Sequence, residues 1–213
     1  MIKFENTEVF NFEGAIRGMR NPLNSWDKSD SYLDDRAGFF IGENDLNLAQ
    51  RLIKAGSDHR KFLRQIFVSV DITAPLYWWK EFDTYKVATV SNSCSTMHKI
   101  HAKEFTLDDF SLESFAIDGE GAFSYRNVVR IIIEALNWYR NEYIETKDKT
   151  VWRNMIQLLP SSYNQKRTLT LNYETLRNIY GSRRNHKLAE WSVGFMGWID
   201  SLPYAEELIK YEK

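Results

Sequence analysis

The sequence has one cysteine, no long apolar run and almost no excess of either charge. A lone Cys94 cannot close an internal disulfide or build a multi-cysteine zinc site, so a reducing, cytoplasmic setting is the expectation. No uninterrupted apolar stretch reaches the roughly 18 residues of a membrane helix, so no membrane partner is expected. The start, Met1-Ile2-Lys3-Phe4-Glu5, has no apolar signal region. Lys and Arg total 28 against 29 Asp and Glu, and a net charge of -1 gives no global basic field to hold a nucleic-acid backbone. Also absent are a glycine-rich phosphate loop of Walker or Rossmann type, an internal repeat, a low-complexity tract and a linker. One domain over 1–213 is therefore expected.

Aromatic residues are abundant: seven Trp, eleven Tyr and thirteen Phe make up 15% of the chain. Such a load implies a large core, a sizeable subunit interface or a pocket that stacks planar rings. The pattern along the chain predicts an α+β fold, a central and largely antiparallel sheet flanked by helices. Residues 2–20, with Gly14 and Gly18, predict a strand and a turn, and the polar stretch 21–42 a long loop. Asn44 is placed to cap a helix over 45–55 that presents Leu48, Leu52 and Ala55 and stops at Gly56. Ile66, Val68, Val70 and Ile72 alternate with Phe67, Ser69, Asp71 and Thr73, which predicts a half-buried strand with one polar face. Pro75 suits a first helical position, so a helix should follow to about Tyr85, then a loop or irregular strand over 86–99.

The longest predicted helix covers 122–146. Tyr125, Val129, Ile132, Leu136, Tyr139 and Tyr143 form one stripe on it, and Val128, Ile131, Ala135 and Trp138 a second, which implies burial on more than one side. A helix from Asp148 or Thr150 to Pro160, a strand over 167–171, helices over 173–183 and 186–200 and a short one after Pro203 complete the series.

Several residues have two readings. Arg183-Arg184 supplies fork-like donors for a phosphate, or a basic helix end complementing the dipole. Cys94 is a thiol that Lys86 or Lys99 could activate, or a quiet small residue. Trp78-Trp79 and Tyr85 offer faces to a flavin or a base, or belong to the core. Asn172 is a ligand contact or a helix N-cap. Asp71 is an acid/base group or a salt-bridge partner. The stretch Arg17-Gly18-Met19-Arg20-Asn21 offers itself to a phosphate on composition alone. His98 and His101 stand three apart without an acid pair at ligand spacing, so no metal site is expected.

Two clusters carry a resemblance to a known family. From Ala74 onward the chain is similar, without a gap, to the signature of the flavin-dependent thymidylate synthases. Lys80 and Glu81 fall on that family's Arg-Gln pair. Thr84, Tyr85 and Lys86 fall on its Arg-His-Arg triplet, and Thr89 keeps the hydroxyl of the next step. Asn92 falls on its acid, Cys94 on its serine and Thr96 on its last arginine, while Asp71 stands where the family often has histidine. Farther on, Leu158-Leu159-Pro160, Asn172, Asn178 and Arg183 resemble its Leu-Pro, Asn, Asn, Arg series, with Pro160 and Asn172 twelve apart. Ala189-Glu190-Trp191 resembles its Ala-Gln-Trp, displaced by one residue. Ile156 and Glu174 replace two of its arginines, and Arg153 lies one helical turn before the first.

The resemblance spans roughly 45–200 and implies an FAD protein that uses NADPH and methylenetetrahydrofolate to methylate dUMP. It implies a homotetramer whose sites form where subunits meet. Thr84, Tyr85, Lys86, Asn172 and Asn178 would hold the cofactor. Lys80, Glu81, Asn92, Cys94, Thr96, Arg183 and Arg184 would hold the pyrimidine nucleotide, with Cys94 and Arg183 in catalytic positions. The substitutions at Thr84, Tyr85, Thr96, Ile156 and Glu174 motivate another reading, a non-catalytic nucleotide-binding or sequestering module on the same scaffold. A purely structural oligomer is the third.

Overall fold

A computed structural model describes residues 2–36, 38–112 and 124–212. The fold is α+β. In chain order the main elements are β1 (Lys3–Phe10), α1 (Phe12–Met19), β2 (Tyr32–Asp34), β3 (Gly38–Phe40), α2 (Glu43–Lys54), β4 (Phe67–Pro75), α3 (Leu76–Phe82), β5 (Val90–Ser93), α4 (Tyr125–Thr146), α5 (Lys149–Leu158), β6 (Asn164–Asn172), α6 (Tyr173–Arg183) and α7 (Met196–Asp200). One sheet has the order β1-β4-β6-β5, and β2 pairs antiparallel with β3. The chain divides into two compact units, and β4 and β6 each contribute residues to both.

The first unit is built around Ile72–Thr84 and the described part of Asn92–Arg167. The N-terminus of α3 is tied down by Leu76 N–H on the Tyr163 carbonyl and Tyr77 N–H on that of Ser161, both 3.0 Å. Pro75 stands just before the helix rather than inside it, and the helix stops at Phe82, short of Tyr85. Trp78, Trp79 and Phe82 are buried against one another, and the Trp79 indole N–H donates to the Gln165 carbonyl at 2.9 Å. These tryptophans are core, not an exposed stacking platform.

Helices α4 and α5 pack as a hairpin over Ile100, Phe105 and Phe110, with Leu136 and Met155 at its centre. Asn137 fixes the covering loop, since its amide donates to the Phe105 carbonyl (2.9 Å) and its oxygen accepts from the Phe105 N–H (2.8 Å). Asp148 caps α5 by accepting from the Thr150 N–H at 2.7 Å. The start expected for α4 at 122–123 lies outside the described residues. Its second stripe departs from expectation, because Ile131 and Trp138 are each 60% exposed.

The second unit comprises Phe4–Asp71, Tyr85–Ser91 and the chain from Thr168 onward. Where a turn is expected, α1 forms instead. Phe12, Ala15, Ile16 and Met19 recur at helical spacing and are buried. The two glycines that suggested a turn permit close approach: a Cβ at Gly18 would meet the Gln65 side-chain oxygen at 3.0 Å, and one at Gly14 that of Asn11 at 2.2 Å. The β4 alternation holds, with Val68, Val70, Ile72 and Ala74 fully buried between half-buried Ser69, Asp71 and Thr73. Asp71 accepts from the Thr168 hydroxyl (2.6 Å) and the Asn6 amide (3.0 Å).

Residues 29–31 of the polar 21–42 segment are held by one buried carboxylate. Asp45 Oδ2 accepts from the hydroxyls of Ser29 (2.7 Å) and Ser31 (2.6 Å) and the N–H groups of Asp30 (3.2 Å) and Ser31 (3.1 Å). Its Oδ1 accepts from Arg20 Nε at 2.6 Å. Asp30 in turn supplies the N-terminal cap of α2, accepting from the N–H groups of Asn44 (2.8 Å) and Asp45 (3.1 Å), so Asn44 is not the cap. The buried face of α2 is Asp45, Leu48, Ala49 and Ile53, which leaves Ala55 outside it. The expected 186–200 helix is instead a π turn, Glu190–Phe195, running into α7.

Burial raises the Asp45 pKa, but hydrogen bonds from Ser31, Ser29 and Arg20 outweigh it and hold the carboxyl below its ordinary range. Asp45→Asn strands the buried Arg20 guanidinium and should cost about 3–5 kcal/mol in urea unfolding; a loss under about 1 kcal/mol contradicts this account. A depressed folded pKa stabilises fully above the unfolded value of about 3.9, and its contribution fades as pH falls through the lower folded value. The gap between wild type and Asp45→Asn should therefore narrow below about pH 4.

Candidate functional site

Helix α6 positions most of the predicted residues of the second unit. Asn172 is 2% exposed, and its side-chain oxygen caps the helix, accepting from the Thr175 N–H at 2.9 Å and hydroxyl at 3.2 Å. The Thr175 hydroxyl also reaches the Val87 carbonyl at 3.2 Å, which ties the segment after Tyr85 to the start of α6. Asn172 is thus spent on the helix terminus. Asn178, two turns on, is exposed, and its carbonyl accepts from the Ser182 hydroxyl at 2.9 Å.

Glu174 explains its own charge. It is nearly buried and takes a two-pronged bond from Arg60, with Nε at 2.9 Å and Nη2 at 3.0 Å. Arg177 follows one turn on and donates to the Ile209 carbonyl at 2.8 Å. Its pKa is lowered first by burial and then by Arg60, with Glu174 opposing. An arginine at 174 would add a third cation to this group, whereas the carboxylate neutralises it.

At the far end of α6, Arg183 and Tyr85 meet. Arg183 Nε donates to the Tyr85 hydroxyl at 2.7 Å. The guanidinium carbon lies 5.6 Å from the Tyr85 ring centre and 5.1 Å from that of Trp191, cation–π range for both. Tyr85 and Trp191 stand edge to face at 6.1 Å, and His186 approaches Trp191 at 6.4 Å. Arg184 does not join them; it pairs with Glu212 and lies over the Tyr180 ring at 5.4 Å. Lys86 is exposed.

Among first-unit residues, Lys80 is exposed and Glu81 half-buried on α3, and the Thr84 hydroxyl donates to the Glu81 carbonyl at 2.8 Å, finishing the helix. Asn92 and Cys94 are exposed, and Thr96 is half-buried. The Cys94 backbone is held on β6, its N–H donating to the Lys166 carbonyl (2.9 Å) and its carbonyl accepting from the Gln165 amide (2.7 Å). The nearby Tyr163 phenol is pushed up to about 12 by burial, then by Asp109 and Cys94, so it stays protonated at neutral pH. Ile156 packs against the α4–α5 core, and Arg153 is exposed.

Sequence reasoning missed Arg60, Arg167 and the aromatic role of Trp191. Arg167 lies 4.2 Å over the Trp79 ring and pairs with Asp83 at 2.7 Å. No local pattern links such partners, because Arg60 and Glu174 are 114 positions apart and Arg183 and Tyr85 are 98. Among the described residues His101 Nδ1 is buried without a partner; its ring stands edge-on to Tyr143 at 4.9 Å, while His98 is exposed. Among the described residues no group of three or more His, Cys, Asp or Glu could hold a metal ion, and no helix is long and apolar enough to cross a membrane. A cavity of about 520 Å³ between Asn11, Phe12, Arg17, Leu33 and Phe39 includes Arg17 of the stretch that offered itself to a phosphate, and none of the residues placed on the family's motifs.

Glu174→Gln should cost about 3 kcal/mol in thermal or urea unfolding, because Arg60 then keeps a charge without its counter-ion. Glu174→Arg should cost more. A stable Glu174→Arg variant would contradict the charge-swap account.

No family model and no curated protein matches the sequence. Solved structures do match. A thymidylate synthase X (ThyX) from Helicobacter pylori with FAD and dUMP superposes with a TM-score of 0.69 at 16% identity, over 99% of this chain and 98% of that one. A flavin-dependent ThyX from the same organism, complexed with FAD and dUMP, gives 0.66 at 17%, over 97% and 98%. A UMP/dUMP methylase, PolB, from Streptomyces cacaoi bound with 5-Br dUMP gives 0.63 at 16%, over 99% and 95%. The chain therefore has a fold like that of the flavin-dependent thymidylate synthase ThyX and the related methylase.

Proposed function

We propose that this chain binds a pyrimidine nucleotide on its ThyX-like scaffold and does not turn over flavin. The observation that carries the proposal is Arg183 between Tyr85 and Trp191. Two ring faces and the Nε bond hold the guanidinium plane in one orientation, the preorganisation that phosphate recognition by arginine uses. The fold supports the choice of ligand, since two ThyX neighbours carry dUMP and PolB its 5-bromo analogue.

The residues at the expected flavin grip do not fit FAD. Thr84 completes a helix end, Tyr85 has its hydroxyl on Arg183, and Asn172 is a buried cap. Lys86 is the sole cation among the five positions proposed for the cofactor. Diphosphate recognition needs fixed donors, and three of the five side chains make internal bonds instead. In this reading Cys94 and Arg183 have no catalytic role, and NADPH and methylenetetrahydrofolate have no use.

A second reading keeps the reductive methylation of dUMP with FAD, NADPH and methylenetetrahydrofolate. It is favoured by the FAD present with both Helicobacter pylori proteins, which match over nearly the whole chain. A homotetramer belongs to either reading as a proposal, as does the single-domain organisation over 1–213.

Purified protein incubated with excess FAD and desalted should be colourless, whereas a retained visible flavin band overturns the non-flavin reading. In the same preparation dUMP or another pyrimidine nucleotide should raise the melting temperature, as native-state ligands do. Arg183→Ala should abolish that rise while keeping the fold by circular dichroism. An unchanged rise in Arg183→Ala would remove Arg183 from the site.

A further inference from the structure

Arg20 carries one donor nitrogen that the fold does not use. The side chain is 4% exposed; its Nε donates to Asp45 at 2.6 Å and its Nη1 to the Ser25 carbonyl at 3.3 Å. Its Nη2 is buried and, among the described residues, has no hydrogen-bond partner. A buried guanidinium nitrogen without an acceptor is costly, which favours an acceptor from outside the chain. Arg20 forms part of the wall of a cavity of about 360 Å³, with Arg17, Trp26 and Phe39.

A second cation stands beside it. Glu13, Arg17 and Arg20 follow one another at i, i+4 and i+7, the spacing of one helix face. Arg17 pairs with Glu13 at 3.8 Å, but both side chains are mostly exposed, so the pair is loose and screened by solvent. Glu13, Arg17 and Phe39 line the neighbouring 520 Å³ cavity as well. There Val9, Phe12, Leu33 and Pro203 supply an apolar wall. Leu33 and Phe39 are cross-strand partners in β2 and β3, so they share one face of the hairpin. Phe39 stacks on Phe12 at 6.3 Å, and the Ile41 N–H donates to the Tyr204 hydroxyl at 2.9 Å, which holds that face over α1. Leu33 is nonetheless 63% exposed, an apolar side chain on an open pocket. A pocket of this size with an apolar wall and a few convergent polar groups suits a small molecule.

Charge selects the ligand. Asp45 already balances Arg20, and Glu13 lies in both cavities. One added negative charge finds two guanidinium groups, whereas a second would face Glu13. A carboxylate carries one charge and two oxygens in the plane that guanidinium donors match.

We propose that the space between α1 and the β2–β3 hairpin binds a small monocarboxylate with an apolar body. The carboxylate sits on Arg17 and Arg20 Nη2, and the body lies among Phe12, Leu33 and Phe39. For the Arg17–Asn21 stretch this replaces phosphate with carboxylate. The site shares no residue with the Arg183 cluster, so it stands or falls apart from the nucleotide reading.

The test is isothermal titration calorimetry of the full chain with octanoate. Saturable binding to one site per chain is expected, with none for octanamide, which keeps the tail and lacks the charge. Inorganic phosphate should not compete. Arg17→Ala should weaken octanoate roughly tenfold or more by removing a charge-assisted donor. Leu33→Asp should do the same by setting a carboxylate against the tail and the head alike. Both residues are exposed, so the circular dichroism spectrum should not change. Arg20→Lys keeps a cation for Asp45 but removes the second fork nitrogen, and should also weaken binding; if this buried change unfolds the protein, the two exposed variants decide. Absence of octanoate binding overturns the proposal, and so does binding that survives both exposed variants. Equal binding of octanamide, or competition by phosphate, overturns the assignment to a monocarboxylate.

Discussion

The second unit depends on keeping Asp45 charged inside the protein. A buried carboxylate is tolerated only when paired and hydrogen-bonded, and here one oxygen takes Arg20 while the other gathers Ser29, Asp30 and Ser31. That requirement turns a polar, serine-rich stretch into a defined path. It places the β2–β3 hairpin and delivers Asp30 to the N-terminus of α2. Ser29, Asp30 and Ser31 are thus the coordination shell of one anion.

Arginine is the recurring partner elsewhere in the chain. Arg60 answers Glu174, Arg167 answers Asp83 and lies on Trp79, and Arg183 answers Tyr85 and Trp191. Each of these contacts fixes a guanidinium in one orientation. Thr84 and Glu174, which stand where the resemblance leads one to expect arginine, are held by internal partners, the Glu81 carbonyl and Arg60. The core rows, the β4 alternation and the α4–α5 hairpin, are built from apolar residues and do not depend on those side chains.

Much of the fold was legible because it follows periodicity. The period-two row of β4, the α6 boundaries, the Asn172 cap and the Asp148 start of α5 were all written in local spacing. What was not legible depended on distant partners. Gly14 and Gly18 looked like turn residues because nothing local shows that Asn11 and Gln65 need their space. The order in 21–42 was hidden because its organiser, Asp45, sits on the next helix. Of the candidate site, the sequence brought Tyr85 and Arg183 to notice separately, but their bond and the third member, Trp191, required the fold. Arg183-Arg184 looked like one phosphate fork, yet Arg184 turns to Glu212.

The central claim is that this ThyX-like scaffold keeps a nucleotide site and has lost its flavin grip. Isothermal titration calorimetry of one preparation with dUMP and, separately, with FAD tests both halves together. The account predicts saturable heat with dUMP and none with FAD. Stoichiometric FAD binding would contradict it.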